Sequence, residues 1–428
     1  MVSYKYKSGY VVYDDHSNKI YLSDSQHSNK NEPYVVSDAV CEYEELCAPC
    51  TLDEILLTYI SSPVCNMKCD YCYEKESFKS GRAVMTAEQH MNVYLQTLKT
   101  FPNANVAITL FGGEPLLAKS EILYFLETLD KHCEENSLHM PSVAMITNGT
   151  MVDEQICDMF NKYFNGVTFS VDGFKEAHDK YRKYNNGADT YAHVHQNISR
   201  LNSSKTFKTA CEATITSAFF DDYSFATVEK IWDTCKELQF STIEFICVFG
   251  NDCEDFAIKE LDKLDRFAKD LVKIWCEHVM NDEHVIKIPR LVNFLALLSG
   301  NKTLDEMRCS AGYSNFAFDS NNNIYPCQGY VGDDDYLMGK VSESGLEFFP
   351  TKKGVISKEN FPFCKTCVCR KGCSSFCYVT MKEAGDKLPP SCLFNQMIFK
   401  HFLLAFVEIM DSPNKSKLVV GAKRLVNA

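Results

Sequence analysis

From about residue 53 the chain alternates short apolar runs with longer stretches whose apolar residues recur at helical spacing. Strand-like runs fall at 54–60, 106–111, 143–147, 166–171, 209–216 and 242–248. Helical patterns occupy 121–136, 153–163, 191–201 and 223–238, and Thr86 with Gln89 makes a capping box opening another that reaches about Thr100. Six strand–helix units predict a parallel sheet covered by helices. Six are too few to close an eight-stranded barrel, so the expected fold is α/β, a partial (β/α)6 TIM-like barrel. Ligands in such folds gather at the carboxyl ends of the strands.

The pattern changes outside this stretch. Residues 1–52 read as a small β-rich segment, with runs at 10–13 and 19–22 forming a hairpin around a polar turn. It is too short for a complete winged-helix leader-binding domain and is expected to be at most a degenerate version. The barrel is assigned to 53–260 and a helical bridge to 261–308. A loop-rich domain follows over 309–392, holding eight cysteines. Residues 393–428 read as a helix over 394–410 and a polar tail.

Composition narrows the chemistry. The chain has 428 residues, 21 of them cysteine, and a net charge of −13. No run of eighteen apolar residues appears, and the first residues lack the apolar block of an export signal, so neither a membrane nor secretion is expected. In a cytoplasmic chain so many cysteines point to metal or cluster ligation and buried thiols rather than disulfides. The acidic balance argues against a nucleic-acid partner. Cys133, Cys157, Cys211, Cys235, Cys247, Cys253 and Cys276 fall on apolar faces and are expected to be small core residues.

The informative cysteines are Cys65, Cys69 and Cys72, spaced C-x3-C-x2-C directly after the first barrel strand. Thiolates suit iron–sulfur clusters and zinc, but this loop offers three where structural zinc takes four. The loop, with Tyr71 before its third cysteine, resembles the signature of the radical S-adenosylmethionine (SAM) superfamily. That resemblance implies a four-iron cluster with one open iron, where SAM binds. On reduction, SAM yields a 5′-deoxyadenosyl radical that removes a hydrogen atom from an unactivated carbon.

Further strand ends match the same family. Gly112-Gly113-Glu114-Pro115 follows the second strand and resembles the motif for the methionine ammonium of SAM. Asn148 in Thr147-Asn148-Gly149 and Ser170 with Asp172 in Ser170-Val171-Asp172-Gly173 resemble tip motifs near the ribose and carboxylate. Arg182 stands where relatives carry a carboxylate-binding arginine, a task its planar fork suits.

Cys309, Cys327, Cys364, Cys367, Cys373, Cys377 and Cys392 resemble, in order and spacing, the SPASM domain, an extension that binds two auxiliary four-iron clusters. The resemblance implies an outer cluster on Cys364, Cys367, Cys373 and Cys392, and an inner one on Cys309, Cys327 and Cys377. Three clusters are therefore expected in all. The family's glycine five residues before the second of these cysteines is Asn322 here, which still accommodates a left-handed turn. No cysteine lies between Cys309 and Cys327, so the inner cluster would have an open iron for a substrate thiolate unless Cys369 or a residue of the first segment fills it. Cys41, Cys47 and Cys50 form a further C-x5-C-x2-C group.

SPASM-bearing enzymes mostly act on peptides. The expected activity is maturation of a ribosomally made precursor peptide by a thioether or carbon–carbon cross-link, with a flavodoxin or ferredoxin as electron donor. The alternative is an anaerobic sulfatase-maturing enzyme that makes formylglycine. Those relatives place an aspartate base immediately after the second SPASM cysteine, where this chain has Gln328, which accepts no proton as a carboxylate does. A non-catalytic iron–sulfur carrier is the remaining class.

Overall fold

A computed structural model describes residues 1–7, 9–15, 17–23, 54–74, 82–201, 205–248, 258–282, 285–300, 309–349, 358–373, 377–385 and 387–427. Cys41, Cys47, Cys50 and Cys253 lie outside the described residues.

The first segment is a three-stranded antiparallel sheet, β1 (Val2–Tyr6), β2 (Gly9–Asp14) and β3 (Lys19–Ser23), in that order. The barrel follows as β4 (Glu54–Ser62), α1 (Ala87–Thr100), β5 (Asn105–Gly112), α2 (Lys119–Glu135), β6 (Ser142–Thr147), α3 (Glu154–Tyr163), β7 (Gly166–Ser170), α4 (Lys175–Tyr181), α5 (Tyr191–Leu201), β8 (Lys208–Ile215), α6 (Phe225–Glu237) and β9 (Thr242–Cys247). Strands β4 to β9 pair in sequence order, all parallel. The six expected strand–helix units are present, and the Thr86–Gln89 capping box opens α1 as read from the sequence.

Alternation along each strand separates two faces. On β8, Thr209, Cys211, Ala213 and Ile215 are buried under the helices, while Ala210, Glu212 and Thr214 are half-open on the inner face. The inner row of β9, Thr242, Glu244 and Ile246, is open in the same way. The inner face is therefore a polar and small-residue surface, with Glu212 directly beside Glu244.

The bridge is largely helical where it is described. It is two helices, α7 (Leu261–Asn281) and α8 (Pro289–Leu298), with a proline at the start of the second. The link between them pairs with β9: Ile243 N–H donates to the Lys287 carbonyl at 2.9 Å. This covers a sheet edge that would otherwise offer unpaired backbone groups.

The other edge is continued. Strands β10 (Asn315–Phe318), β11 (Asn323–Tyr325), β12 (Gly339–Ser342) and β13 (Gly345–Phe348) extend the barrel sheet to ten strands, with β10 parallel to β4. Asn322, at the β10–β11 turn, adopts φ 61°, so it fills the glycine position as its type allows. Asp319 stabilises that turn by accepting from the Asn321 and Asn323 amides and pairing with buried Arg82 at 3.0 Å.

Short helices α9 (Pro362–Lys365) and α10 (Tyr378–Ala384) lead into α11 (Pro390–Met410) and α12 (Lys415–Asn427). The tail read from the sequence only as polar is helical. It packs on α7 so closely that a Cβ at Gly421 would meet the Val279 carbonyl oxygen at 1.9 Å. Among the described residues α11 alone is long and apolar enough to cross a membrane. Its Phe394, Ile398, Phe399, Phe402, Leu403 and Phe406 are buried in the core, which accounts for that composition. The first sheet docks here too, with Tyr13 edge-on to Phe399 and the Asn18 amide donating to the Leu297 carbonyl at 2.9 Å.

One buried histidine fixes the end of β4. The His90 ring bonds the Thr86 carbonyl through Nδ1 at 2.7 Å, so Nδ1 carries the proton and Nε2 accepts from the Ser61 hydroxyl at 3.0 Å. Burial holds its pKa down at about 4. The unfolded chain therefore binds a proton below about pH 6.5 that the folded chain refuses, and stability falls as pH drops from 6.5 towards 4. The expected contribution is about 3 kcal/mol, checked by urea unfolding of wild type and His90→Gln across that range.

Candidate active site

The loop carrying Cys65, Cys69 and Cys72 leaves the carboxyl end of β4 and is held from three sides. On the first, β5 continues past its own end alongside it. Gly113 N–H donates to the Ser62 carbonyl and Glu114 N–H to the Val64 carbonyl, both at 2.9 Å. A Cβ at Gly112 would stand 2.2 Å from the Ser62 oxygen, and one at Gly113 2.5 Å from the Val64 oxygen. The glycines thus let two backbones touch immediately before Cys65, a reason for the Gly-Gly pair beyond approach to a ligand.

On the second side, Glu114 is fully buried and accepts from Leu116 N–H at 3.0 Å, the Thr147 hydroxyl at 2.7 Å and Asn148 N–H at 2.8 Å. Burial raises its pKa to about 7, against the pull of those donors. The carboxylate ties the end of β5 to the end of β6. Asn148 reaches from there to the loop, donating to Asn66 Oδ1 at 3.0 Å and to Cys65 Sγ at 3.6 Å. Asn66 also bonds Thr150 at 2.8 Å. Burial pushes the Cys65 thiol up to about 11, opposed by the Met67 amide and Asn148.

On the third side, Asp172 gathers the remaining groups. It accepts from the Tyr71 hydroxyl and from Thr214 N–H at 3.0 Å, and it pairs with Arg182 at 3.2 Å. The guanidinium lies 5.6 Å from the Tyr71 ring centre and 3.9 Å from Cys69 Sγ. Cys69 is pushed up to about 12 by burial, with Arg182 pulling the other way. Asp172→Ala would strand a buried guanidinium and is expected to cost about 3–5 kcal/mol, measured by denaturant unfolding of the metal-free protein.

The structure therefore brings Tyr71, Asp172, Arg182 and Cys69 together, and Glu114, Asn148 and Cys65 together. Ser170 sits half-buried at the end of β7, two residues before Asp172. Sequence reasoning missed the bracing by Asn66 and Thr150; their position inside and beside the motifs was the only signal.

The second group of thiols divides in two. Cys364, Cys367, Cys373 and Cys392 line one narrow cleft with Lys358 and Asn395. Cys367 is drawn down to about 6 by hydrogen bonds from Cys369 and Gln396, despite burial. Cys327 is pushed up to about 12 by burial and by the adjacent Cys377 and Cys309, against the Gly329 amide. Cys369 is buried in the outer cleft, bonded to the Asn395 carbonyl at 3.6 Å, and so is not placed to complete the inner trio. Of the cysteines expected in the core, Cys133, Cys211, Cys235, Cys247 and Cys276 are buried and Cys157 is half-buried.

Among the described residues no three His, Cys, Asp or Glu side chains are grouped tightly enough for a bare metal ion. The thiols are neighbours without being closed on one point. All-sulfur donor sets, partly buried and with amide donors aimed at Cys65, fit an iron–sulfur cluster. Cys65, Cys69 and Cys72 would hold it beside the strand ends, where SAM would supply a carbon-centred radical for hydrogen abstraction.

A parallel half-barrel with a three-thiol loop at its carboxyl end is the arrangement expected of the enzyme class that cleaves SAM at an iron–sulfur cluster. Residues 59–216 match the model of the radical SAM superfamily. The chain is 25% identical, over 85% of its length and 99% of the relative's, to a cysteine-type anaerobic sulfatase-maturating enzyme of Clostridium perfringens. A like-named enzyme of Clostridium novyi is 28% identical over 73% of this chain and 86% of its own. Among solved structures, native anSMEcpe with bound AdoMet and Cp18Cys peptide has a TM-score of 0.65 at 24% identity, covering 84% of this chain and 98% of that one. SuiB of Streptococcus suis bound to precursor peptide SuiA has a TM-score of 0.53 at 17% identity, covering 79% and 76%. Both likenesses concern the fold. The matched domain and the enzyme relatives favour an enzyme over the non-catalytic carrier.

Proposed function

We propose that the chain is a radical SAM maturase that installs a cross-link, thioether or carbon–carbon, in a ribosomally made peptide. The inner face of β4–β9 receives the peptide. SAM is held at the strand ends by Gly112, Gly113, Glu114, Asn148, Ser170, Asp172 and Arg182, with Tyr71 against the guanidinium. Two auxiliary four-iron clusters sit on the outer cysteines and on Cys309, Cys327 and Cys377. A cross-link leaves one electron to remove after hydrogen abstraction, and these clusters are its natural acceptors. Oxygen-sensitive clusters imply an anaerobic cytoplasm and a small iron–sulfur or flavin protein as donor.

The observation that favours cross-linking over formylglycine is Gln328. It occupies the turn after Cys327, where the sulfatase-maturing pattern places its base. Nearby Asp333 is engaged, accepting from Lys382 at 2.8 Å. Formylglycine formation is the second reading, favoured by full-length similarity to sulfatase-maturating relatives. Coexpression with a short cysteine-rich peptide encoded beside the gene tests the first: the product is expected to lose two hydrogens per link. An aldehyde at the cysteine of a sulfatase-derived peptide, with no linked product, would install the second reading in its place.

A further inference from the structure

Asn395, buried on α11, stands between the barrel and the outer cleft. Arg290 Nη1 donates to its side-chain oxygen at 3.1 Å, and its Nδ2 donates to Cys373 Sγ at 3.7 Å. A guanidinium has only donors, so it decides which end of the amide faces which way: oxygen to Arg290, N–H to sulfur. Arg290 is itself 4% exposed and fixed by Glu244 Oε1 and the Phe245 carbonyl. The next residue, Gln396, donates to Cys367 Sγ at 3.7 Å. Two adjacent side chains on one packed helix thus reach two of the four outer sulfurs, and the first is oriented from the substrate face of β9.

We infer that Asn395 and Gln396 are positioning residues that set the electron affinity of the outer cluster, with Asn395 aimed by the Glu244–Arg290 pair. The inference rests on the proposed assignment of Cys364, Cys367, Cys373 and Cys392 as that cluster's ligands. An N–H directed at a ligand sulfur draws off charge and favours the reduced, more negative state, raising the potential. The donors come from a helix buried in the core, so they are in place before substrate arrives. This suits a centre whose task is to accept an electron.

The test is an electron-paramagnetic-resonance redox titration of anaerobically reconstituted full-length protein, with iron counted in each sample. Asn395→Leu and Gln396→Met remove the donors while keeping bulk. Gln396 is half-exposed, so its substitution leaves the fold intact. Both variants are expected to keep wild-type iron and to shift one auxiliary cluster to lower potential, leaving the SAM-binding cluster where it was. Unchanged auxiliary potentials at full iron would overturn the inference and spare the ligand assignment. A wild-type protein with iron for the first cluster alone would overturn the assignment, and the inference with it.

Discussion

A Cys69→Ala protein, prepared without oxygen, is expected to release no 5′-deoxyadenosine from SAM above background, while keeping the iron of its C-terminal cysteines. The loop offers three sulfurs, and the groups around them are Asn148, Tyr71 and Arg182, none of which is a thiol to take over. Arg182, 3.9 Å from Cys69 Sγ, keeps its Asp172 partner when the sulfur is lost, so the expected defect lies in the cluster rather than in the fold. Iron analysis with product chromatography separates loss of one cluster from general unfolding. Cys69→Ser is expected to behave alike, since a serine hydroxyl remains protonated and hard where iron–sulfur chemistry wants a soft anion.

The second large effect is expected from a change that removes no functional group. Gly112→Ala puts a methyl 2.2 Å from the Ser62 carbonyl oxygen, at a residue whose φ is 142°. Both contact partners are backbone of a parallel pair, so neither yields without breaking the pairing that holds Val64 and Cys65. The predicted loss exceeds about 4 kcal/mol. Urea unfolding of the metal-free protein would read it, and SAM binding to whatever folds should be abolished. Near-wild-type stability would mean that the glycine serves the ligand only.

The barrel was legible because its signals are local: apolar runs of strand length, a capping box, and thiols at fixed spacing. Asn322 could be read as a glycine substitute because only one backbone region demanded it. What the sequence concealed depends on long-range pairing. Nothing near Asn315 announces that β10 lies parallel to β4, and nothing near Lys287 shows that the bridge closes the β9 edge. The tail read only as polar because Lys, Ser, Arg and Asn interrupt its apolar residues; packing on α7 supplies what local pattern lacks. Motif matching located Glu114, Asn148 and Arg182, but not that each is bonded to protein: Glu114 to three donors, Asn148 to the cysteine loop, Arg182 to Asp172. Arg290 and Asn395 carry no motif at all, since their roles arise from a meeting of residues 105 positions apart.

The most direct measurement is the low-temperature paramagnetic spectrum of reduced, anaerobically reconstituted wild-type protein, recorded with and without SAM. The account predicts a four-iron signal that changes when SAM is added and vanishes in Cys69→Ala. Zinc bound at Cys65, Cys69 and Cys72, or a cluster indifferent to SAM, would contradict it.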